Sequence, residues 1–396
     1  MIYFRYGAEP SAMAEEALSA AFAEQQARES LRGKTILLKP NVGRVSRPGT
    51  GVCTNPEIVR GAVRAAKALD PARILVGDGP IWGVDIHEAL EQTGIAGVCR
   101  EEGVECVDLD GFGFEDVAIP SGIVVKSLRF SALVRQADCI VSIPVMKTHM
   151  YTGVSLSIKN MKGCLYKMEK TKLHRINRDI PDPGKGRVLD YGIADMAAVL
   201  MPHYALMDGT TGMEGLGPSV GTPRQVGVAL ASADAPALDF ASVRLMGMQP
   251  DAVPHLNLIR EALRPELDPL ALPVDTPDYV RHAVTFEPAS LKRLGNEYPH
   301  LRIIEQGACS ACSAALMVFV RTHGGRFPDK PMALGTGKDL KGSDLLAGAQ
   351  EGEQPFCIGN CAAGAALELG QAYCKGCPPV GSSILAHIMG DTLDEE

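Results

Sequence analysis

The sequence is poor in aromatic residues, which fill 5% of its 396 positions and include one tryptophan, Trp82. Single-stranded nucleic acids are bound on aromatic stacking platforms, so that class is disfavoured. A basic tract is also missing: 39 Lys and Arg stand against 47 Asp and Glu, for a net charge of −8. The counter-charge that a phosphate backbone requires is therefore absent. No apolar run approaches the ~18 residues of a membrane span. The opening stretch MIYFRYGAEPSAMAEEALSAAF carries acidic residues inside its apolar run and lacks a secretory layout. These absences predict a cytoplasmic protein that engages neither nucleic acid nor membrane. No G-x-G-x-x-G opens a helix and no P-loop occurs, since GMEGLGPSVGTP (212–223) has neither spacing. Nicotinamide and flavin sites are not expected. Cysteine, by contrast, is plentiful at eleven residues. In a reducing compartment that number points to metal or catalysis rather than disulfides.

A chain of this length predicts two domains. Residues 9–30 read as an amphipathic helix and KTILLKPNV (34–42) as a buried parallel strand. Thr54, Asn55 and Pro56 open a helix to about 69, and RILVGDGP (73–80) is the next strand. A helix at 86–93, a strand at 104–110, a helix at 129–137 and a strand at 139–149 follow. Further on come a helix at 189–201, strands at 204–210 and 225–232, and a helix at 236–247. The alternation predicts an α/β fold with a mostly parallel sheet and helices on both faces. The stretch 264–283 is rich in proline and acid and places a boundary there. The expected domains are residues 1–265 and a smaller cysteine-rich α/β domain at 284–396.

That second domain holds Cys309, Cys312, Cys357, Cys361, Cys374 and Cys377, reading C-x2-C, C-x3-C and C-x2-C-P. Two intervening residues let both thiolates converge on one metal or one cluster edge, and the small neighbours Gly307, Ala308, Gly359 and Gly376 permit close approach. The proline after Cys377 resembles the one that closes bacterial ferredoxin runs. A structural zinc site draws its knuckles from closer in sequence, so a 4Fe–4S cluster is the expected cofactor, with zinc the alternative. Four thiolates suffice for one cluster. The expected ligands are Cys309, Cys312, Cys361 and Cys377, with Cys357 and Cys374 as alternates. Cys99, Cys106 and Cys139 sit in apolar elements and read as core.

In the first domain, polar residues gather at expected strand ends, where open parallel sheets bind ligands. Lys39 and Asn41 end one strand, and Lys147 and His149 follow VSIPVM. Lys159 and Asn160 lie in YTGVSLSIKNMKG, with His174 beyond, and Asp208 and Gly209 end another strand before Gly215 and Gly217. Lysines supply charge for a phosphate or carboxylate, and glycines let backbone amides approach it. Lys147, His149 and His174 are the candidate catalytic groups, the histidines suited to proton transfer near neutral pH. Lys39, Asn41, Lys159, Asn160, Asp208, Gly209, Gly215 and Gly217 are the candidate ligand-binding set. GTGKDLKGSD (335–344) reads as a surface loop.

KPN (39–41), Thr54-Asn55-Pro56, VMKTHMYTGVSLSIKNMKG (145–163), His174, MDGTTGMEGLGPSVGTP (207–223) and ASADAPALDFASVRLMG (231–247) together resemble the family known as "domain of unknown function three-six-two". The resemblance covers roughly residues 34–250. It implies an iron–sulfur centre protein with ferredoxin-type cysteines near the C-terminus. This chain departs from that pattern, because its cysteines spread over about 70 residues instead of forming C-x2-C-x2-C-x3-C. The function expected is a redox-linked iron–sulfur protein whose α/β domain binds a small anion, with a redox protein as a second partner. An electron carrier or maturation partner without its own substrate is one alternative. A non-redox transferase or isomerase with a structural cluster or zinc is another.

Overall fold

The computed structural model describes residues 1–81, 83–176, 178–289, 294 and 297–390, so Trp82 lies outside the described residues. They form two compact units, Met1–Pro288 and Ala289–Glu396.

The first unit runs β1 (Tyr3–Tyr6), α1 (Pro10–Glu24), α2 (Ala27–Leu31), β2 (Thr35–Pro40), α3 (Pro56–Lys67), β3 (Arg73–Asp78), α4 (Ile86–Gln92), α5 (Ile95–Glu102) and β4 (Glu105–Asp108). A hairpin of β5 (Phe114–Ala118) and β6 (Ser127–Ser131) precedes α6 (Ala132–Gln136), β7 (Cys139–Ile143), β8 (Val145–His149), β9 (Gly153–Ser155) and α7 (Ser157–Asn160). Then come α8 (Glu169–Lys172), α9 (Val188–Ala197), β10 (Tyr204–Glu214), β11 (Thr222–Ser232), α10 (Ala235–Leu245) and α11 (Pro254–Leu263). The main sheet has the order β1-β11-β10-β7-β2-β3-β4, with β8 paired to β10 and β9 to β8. Its centre is parallel and β1, β11 and β9 pair antiparallel.

Successive strand residues point to opposite faces, and both faces are covered. Ile36 and Leu38 pack with α1, α3 and α5, while Leu37 packs with the core shared by α9, α10 and α11. Helix α3 starts where Asn55 Oδ1 accepts from the Glu57 amide at 2.9 Å and Pro56 sits at the first turn.

Three expectations shift. The strand expected over 139–149 breaks at Pro144, which offers no amide to a ladder. The helix expected from 129 begins at Ala132, because residues 129–131 pair with β5. The proline- and acid-rich segment folds back onto the first unit: Leu267, Val274, Tyr279 and Phe286 are buried in the core of that unit, and Ile2 bridges Val274.

In the second unit β12 (Leu301–Glu305), β13 (Met332–Thr336), β14 (Gln354–Ile358) and β15 (Tyr373–Cys374) form a parallel sheet in sequence order. Helices Ser310–His323, Gly342–Leu346, Ala363–Glu368 and Gly381–Met389 follow the strands in turn. Among the described residues no helix is long and apolar enough to cross a membrane.

Candidate functional site

The strand-end residues of the first unit separate into two groups. The first is locked into the fold. Lys39 Nζ lies 2.7 Å from Asp78 Oδ1 at the end of β3, with both side chains almost fully buried. It also donates to the Pro40 carbonyl and to Asn160 Oδ1, each at 2.9 Å. Asn160 Nδ2 returns bonds to the Lys39 carbonyl at 3.1 Å and to Ser142 Oγ at 3.0 Å. Asn41 accepts from Lys147 Nζ at 2.7 Å, and Lys147 also donates to the Val52 carbonyl. Burial pushes the Lys147 ammonium down to about 8. Asp208 accepts from the Asn55 amide at 2.8 Å and from the Thr210 amide and hydroxyl at 3.0 and 2.6 Å. The glycines serve packing: a Cβ at Gly209 would lie 2.5 Å from Val228 Cγ2, and one at Gly217 would lie 2.1 Å from the Thr148 carbonyl oxygen. Gly215 occupies left-handed backbone at φ 73°.

The second group is a basic cluster of buried His149 and Lys159 with half-buried Lys162 and His174. Its framework is α7, whose first amides are held by Asp239, at 2.9 Å from Ser157 N and 3.1 Å from Ile158 N. His149 Nδ1 accepts from the Tyr151 amide at 3.1 Å and the Thr152 amide at 3.4 Å, which puts the ring proton on Nε2. Lys159 Nζ donates to Ser155 Oγ at 3.4 Å. Burial holds Lys159 well below the usual ammonium range, and the Lys162 charge adds to this. Burial holds Lys162 down to about 7, with Lys170 adding. His149 and His174 are likewise well below the imidazole range, through burial first and neighbouring lysines second. Two residues that sequence reasoning missed complete the cluster. His255, from α11, stands 3.7 Å from Asp190 Oδ1, and the Thr152 backbone is the hydrogen-bonding group that acts on it. Burial pushes His255 down to about 3 and raises Asp190. Neither lies near the other members in sequence, so no motif could announce them. Several bases facing one carboxylate in a low-dielectric setting form an environment that an anion would relieve.

The cluster predicts a pH dependence. A histidine whose folded pKa is depressed is neutral when native and takes up a proton on unfolding, so its penalty is absent at high pH. The penalty sets in as pH falls below the ordinary value near 6.5 and continues to about 3 for His255. The contribution of His149 and His255 to the stability of the first unit should therefore fall from pH 7 to pH 5, by up to about 1.4 kcal/mol per pH unit each. Asp239, which burial pushes up to about 7, works in the opposite sense over the same range. Half-buried His174 contributes less. Urea unfolding of the wild type and of His255→Phe at pH 7.5 and 5.5 isolates the histidine: the wild type should lose about 1 kcal/mol relative to the variant on acidification, and an unchanged difference contradicts it.

Among the described residues none of the six cysteines of the second unit forms a disulfide. Three of the expected ligand segments leave carboxyl ends of the parallel strands: Cys309 and Cys312 follow β12, Cys361 follows β14 and Cys377 follows β15. The Cys309 thiol is held well below the ordinary range by the hydrogen bond from Cys312, aided by the backbone amides of Cys312 and Ala311 at the helix start. The charges of Cys309 and Cys377 act on both Cys312 and Cys361. Cys361 and Cys377 are exposed, Cys309 is half-buried and Cys312 is buried. Gly359 makes room for this group, since a Cβ there would stand 3.1 Å from Cys312 Sγ.

Cys357 and Cys374 differ. Both are buried, and neither is influenced by another cysteine: burial raises Cys357, and it pushes Cys374 up to about 11. Cys357 packs against Ala333, Leu345 and Ala365 in the core of the unit. Loop 336–339 packs at the same strand ends: a Cβ at Gly337 would lie 1.9 Å from the Gln306 carbonyl oxygen, and Lys338 lowers Cys361 against the dominant effect of burial. Among the described residues no three His, Cys, Asp or Glu side chains enclose a position for a single metal ion. Thiolates around one zinc ion would stand about 3.8 Å apart, given Zn–S bonds of about 2.3 Å. A cubane cluster holds its thiolates more widely than a single zinc ion does. Of the N-terminal cysteines, Cys99 and Cys139 are buried as expected of core. Cys106 is half-buried, with its Sγ 3.3 Å from that of Cys99.

The chain is 27% identical over 247 residues to the thylakoid-associated protein sll1697 of Synechocystis, which spans 62% of this chain and 73% of that one. It also aligns with the structure of the lactate racemase apoprotein from Thermoanaerobacterium thermosaccharolyticum at a TM-score of 0.41 and 13% identity, covering 90% of this chain and 82% of that one. The family model described as Domain of unknown function (DUF362) matches residues 36–244, more than half of the sequence, and the chain belongs to that family.

Proposed function

We propose that this chain is a redox-linked iron–sulfur protein, with one 4Fe–4S cluster held by Cys309, Cys312, Cys361 and Cys377. The observation that carries this reading is the grouping of the six C-terminal thiols. Four act on one another at the strand ends, and two are sequestered in the sheet. When bound, such a cluster supplies one-electron transfer. A redox partner protein would approach the exposed Cys361 and Cys377 side, and a reducing compartment such as the cytoplasm keeps the eleven thiols reduced.

The first unit binds a small phosphate- or carboxylate-bearing anion at His149, Lys159, Lys162 and His174. Anion binding raises the proton affinity of these groups, so Lys162, held to about 7, charges as the ligand enters. His149, with its proton on Nε2 and Nδ1 taken by two backbone amides, would donate to the anion. Lys147, tied to Asn41 and Val52, positions the chain beside it.

Anaerobic purification followed by iron and acid-labile sulfide analysis and EPR tests the cluster. About four iron and four sulfide per chain is the expected result. Stoichiometric zinc without iron overturns it.

A further inference from the structure

We propose that a second anion site lies on the surface of the first unit and takes a nucleoside polyphosphate. It goes beyond the reading above and shares no residue with the buried cluster. A cleft of about 600 Å³ opens between the approach to β6 and the segment that carries α8. That size falls within the roughly 300–1,000 Å³ of small-molecule sites. Lys126, Arg129, Lys167, Lys172, Arg175 and Arg178 line it, with Glu169 the one carboxylate of the lining and Asp116, outside it, 3.0 Å from Arg129 Nε. In a chain of net charge −8, six cations around one cleft are a local concentration that composition does not explain. Glu169 is engaged by Lys172 at 2.8 Å. Lys172 also donates to the Ser127 carbonyl at 2.9 Å, tying the two banks of the cleft together.

Two further observations point to a ligand with an aromatic part. Lys167 is a non-glycine residue in left-handed backbone at φ 44°. Its amide is anchored by Asp110 Oδ1 at 2.9 Å, and its ammonium lies 5.0 Å from the centre of the Tyr166 ring. Backbone strain of this kind concentrates where ligands are clamped. Tyr166, Met168 and Ile176 supply an apolar wall beside the cations. Phe114 backs that wall, with its ring centre 5.2 Å from that of Tyr166 and the Arg129 guanidinium 4.7 Å above it. Aromatic and guanidinium planes stack bases, and lysines and arginines bind phosphates. The combination selects a nucleoside di- or triphosphate over inorganic phosphate.

Isothermal titration of the full-length protein with ATP, tripolyphosphate and adenosine tests the site. The expected result is saturable one-to-one ATP binding, with tripolyphosphate at least about tenfold weaker and no saturation by adenosine at millimolar concentration. Arg175→Ala/Arg178→Ala should weaken ATP at least about tenfold with an unchanged circular dichroism spectrum, whereas Lys162→Ala should leave it within about twofold. No saturable ATP binding, or ATP binding untouched by the double variant, overturns the site. Tripolyphosphate as tight as ATP overturns the nucleoside assignment. A loss with Lys162→Ala equal to that of the double variant would move the ligand to the buried cluster, and so overturn the cleft while leaving the anion reading of that cluster intact.

Discussion

Alanine at Cys361 or Cys377 is expected to reduce the iron of anaerobically prepared protein from about four per chain to well below one, with little change in the fold of the apoprotein. Both side chains are exposed, so their truncation removes little packing. Alanine at Cys357 or Cys374 is expected to do the reverse. These thiols are 0% and 3% exposed, and deleting a buried methyl-sized group costs about 1 kcal/mol. For a unit of roughly 100 residues that lowers the melting midpoint by about 4–8 °C, while iron content stays at the wild-type level. The two classes therefore separate in opposite directions on two readouts, iron analysis and thermal unfolding. Unfolding is to be compared between apo forms, because a bound cluster stabilises by linkage. Cys357→Ala losing its iron, or Cys361→Ala keeping it, would exchange the ligand set.

In the sequence, the proposed choice between these thiols rests on local chemistry alone. Cys377 carried its proline and Cys361 sat in a glycine-bounded turn, whereas Cys374 ends a short strand. Strand β15 has two residues, too few to show a period, so the parallel four-stranded sheet beneath the cysteines was not readable. The loop at 336–339 read as surface for the same reason: nothing in GTGKD states that it packs on Gln306 at the end of β12. In the first unit the strands were readable because buried parallel strands are continuous apolar runs, as TILL and CIVSI are. Polarity at strand ends was less informative. Lys39, Asn41, Asn160 and Asp208 read as ligand-binding because they are polar and placed there, and the internal partners that hold them are not written in the sequence. His255 and Asp190 were invisible because their significance lies in what surrounds them after folding. His255 sits in PHLNLIREAL, an ordinary helix in sequence.

That distinction has a measurable consequence at Lys39. Asp78→Ala is expected to destabilise the first unit by about 3–5 kcal/mol, the cost of leaving one member of a buried ion pair uncompensated. The side chains of Lys39 and Asp78 are 1% and 2% exposed, so water cannot replace the lost carboxylate. The same change strips an acceptor from the amides of Val42 and Gly79, both at 2.8 Å. Space is tight as well, for a Cβ on Gly163 would meet Asp78 Oδ1 at 2.1 Å, and no large group can enter to fill the gap. Lys39→Met removes the cation but leaves Asp78 with its two amide donors, so its cost should be smaller. In Lys39→Met/Asp78→Ala neither charge of the pair remains, and the double variant should be more stable than the sum of the single losses by about 1–3 kcal/mol. Urea unfolding of the first unit in the four proteins measures the coupling. The loss should reach the anion site too, because Lys39 holds Asn160 at the end of α7, beside Lys159. If Asp78→Ala costs less than about 1 kcal/mol, the pair is accessible to water and Lys39 returns to the set of charges available to a ligand.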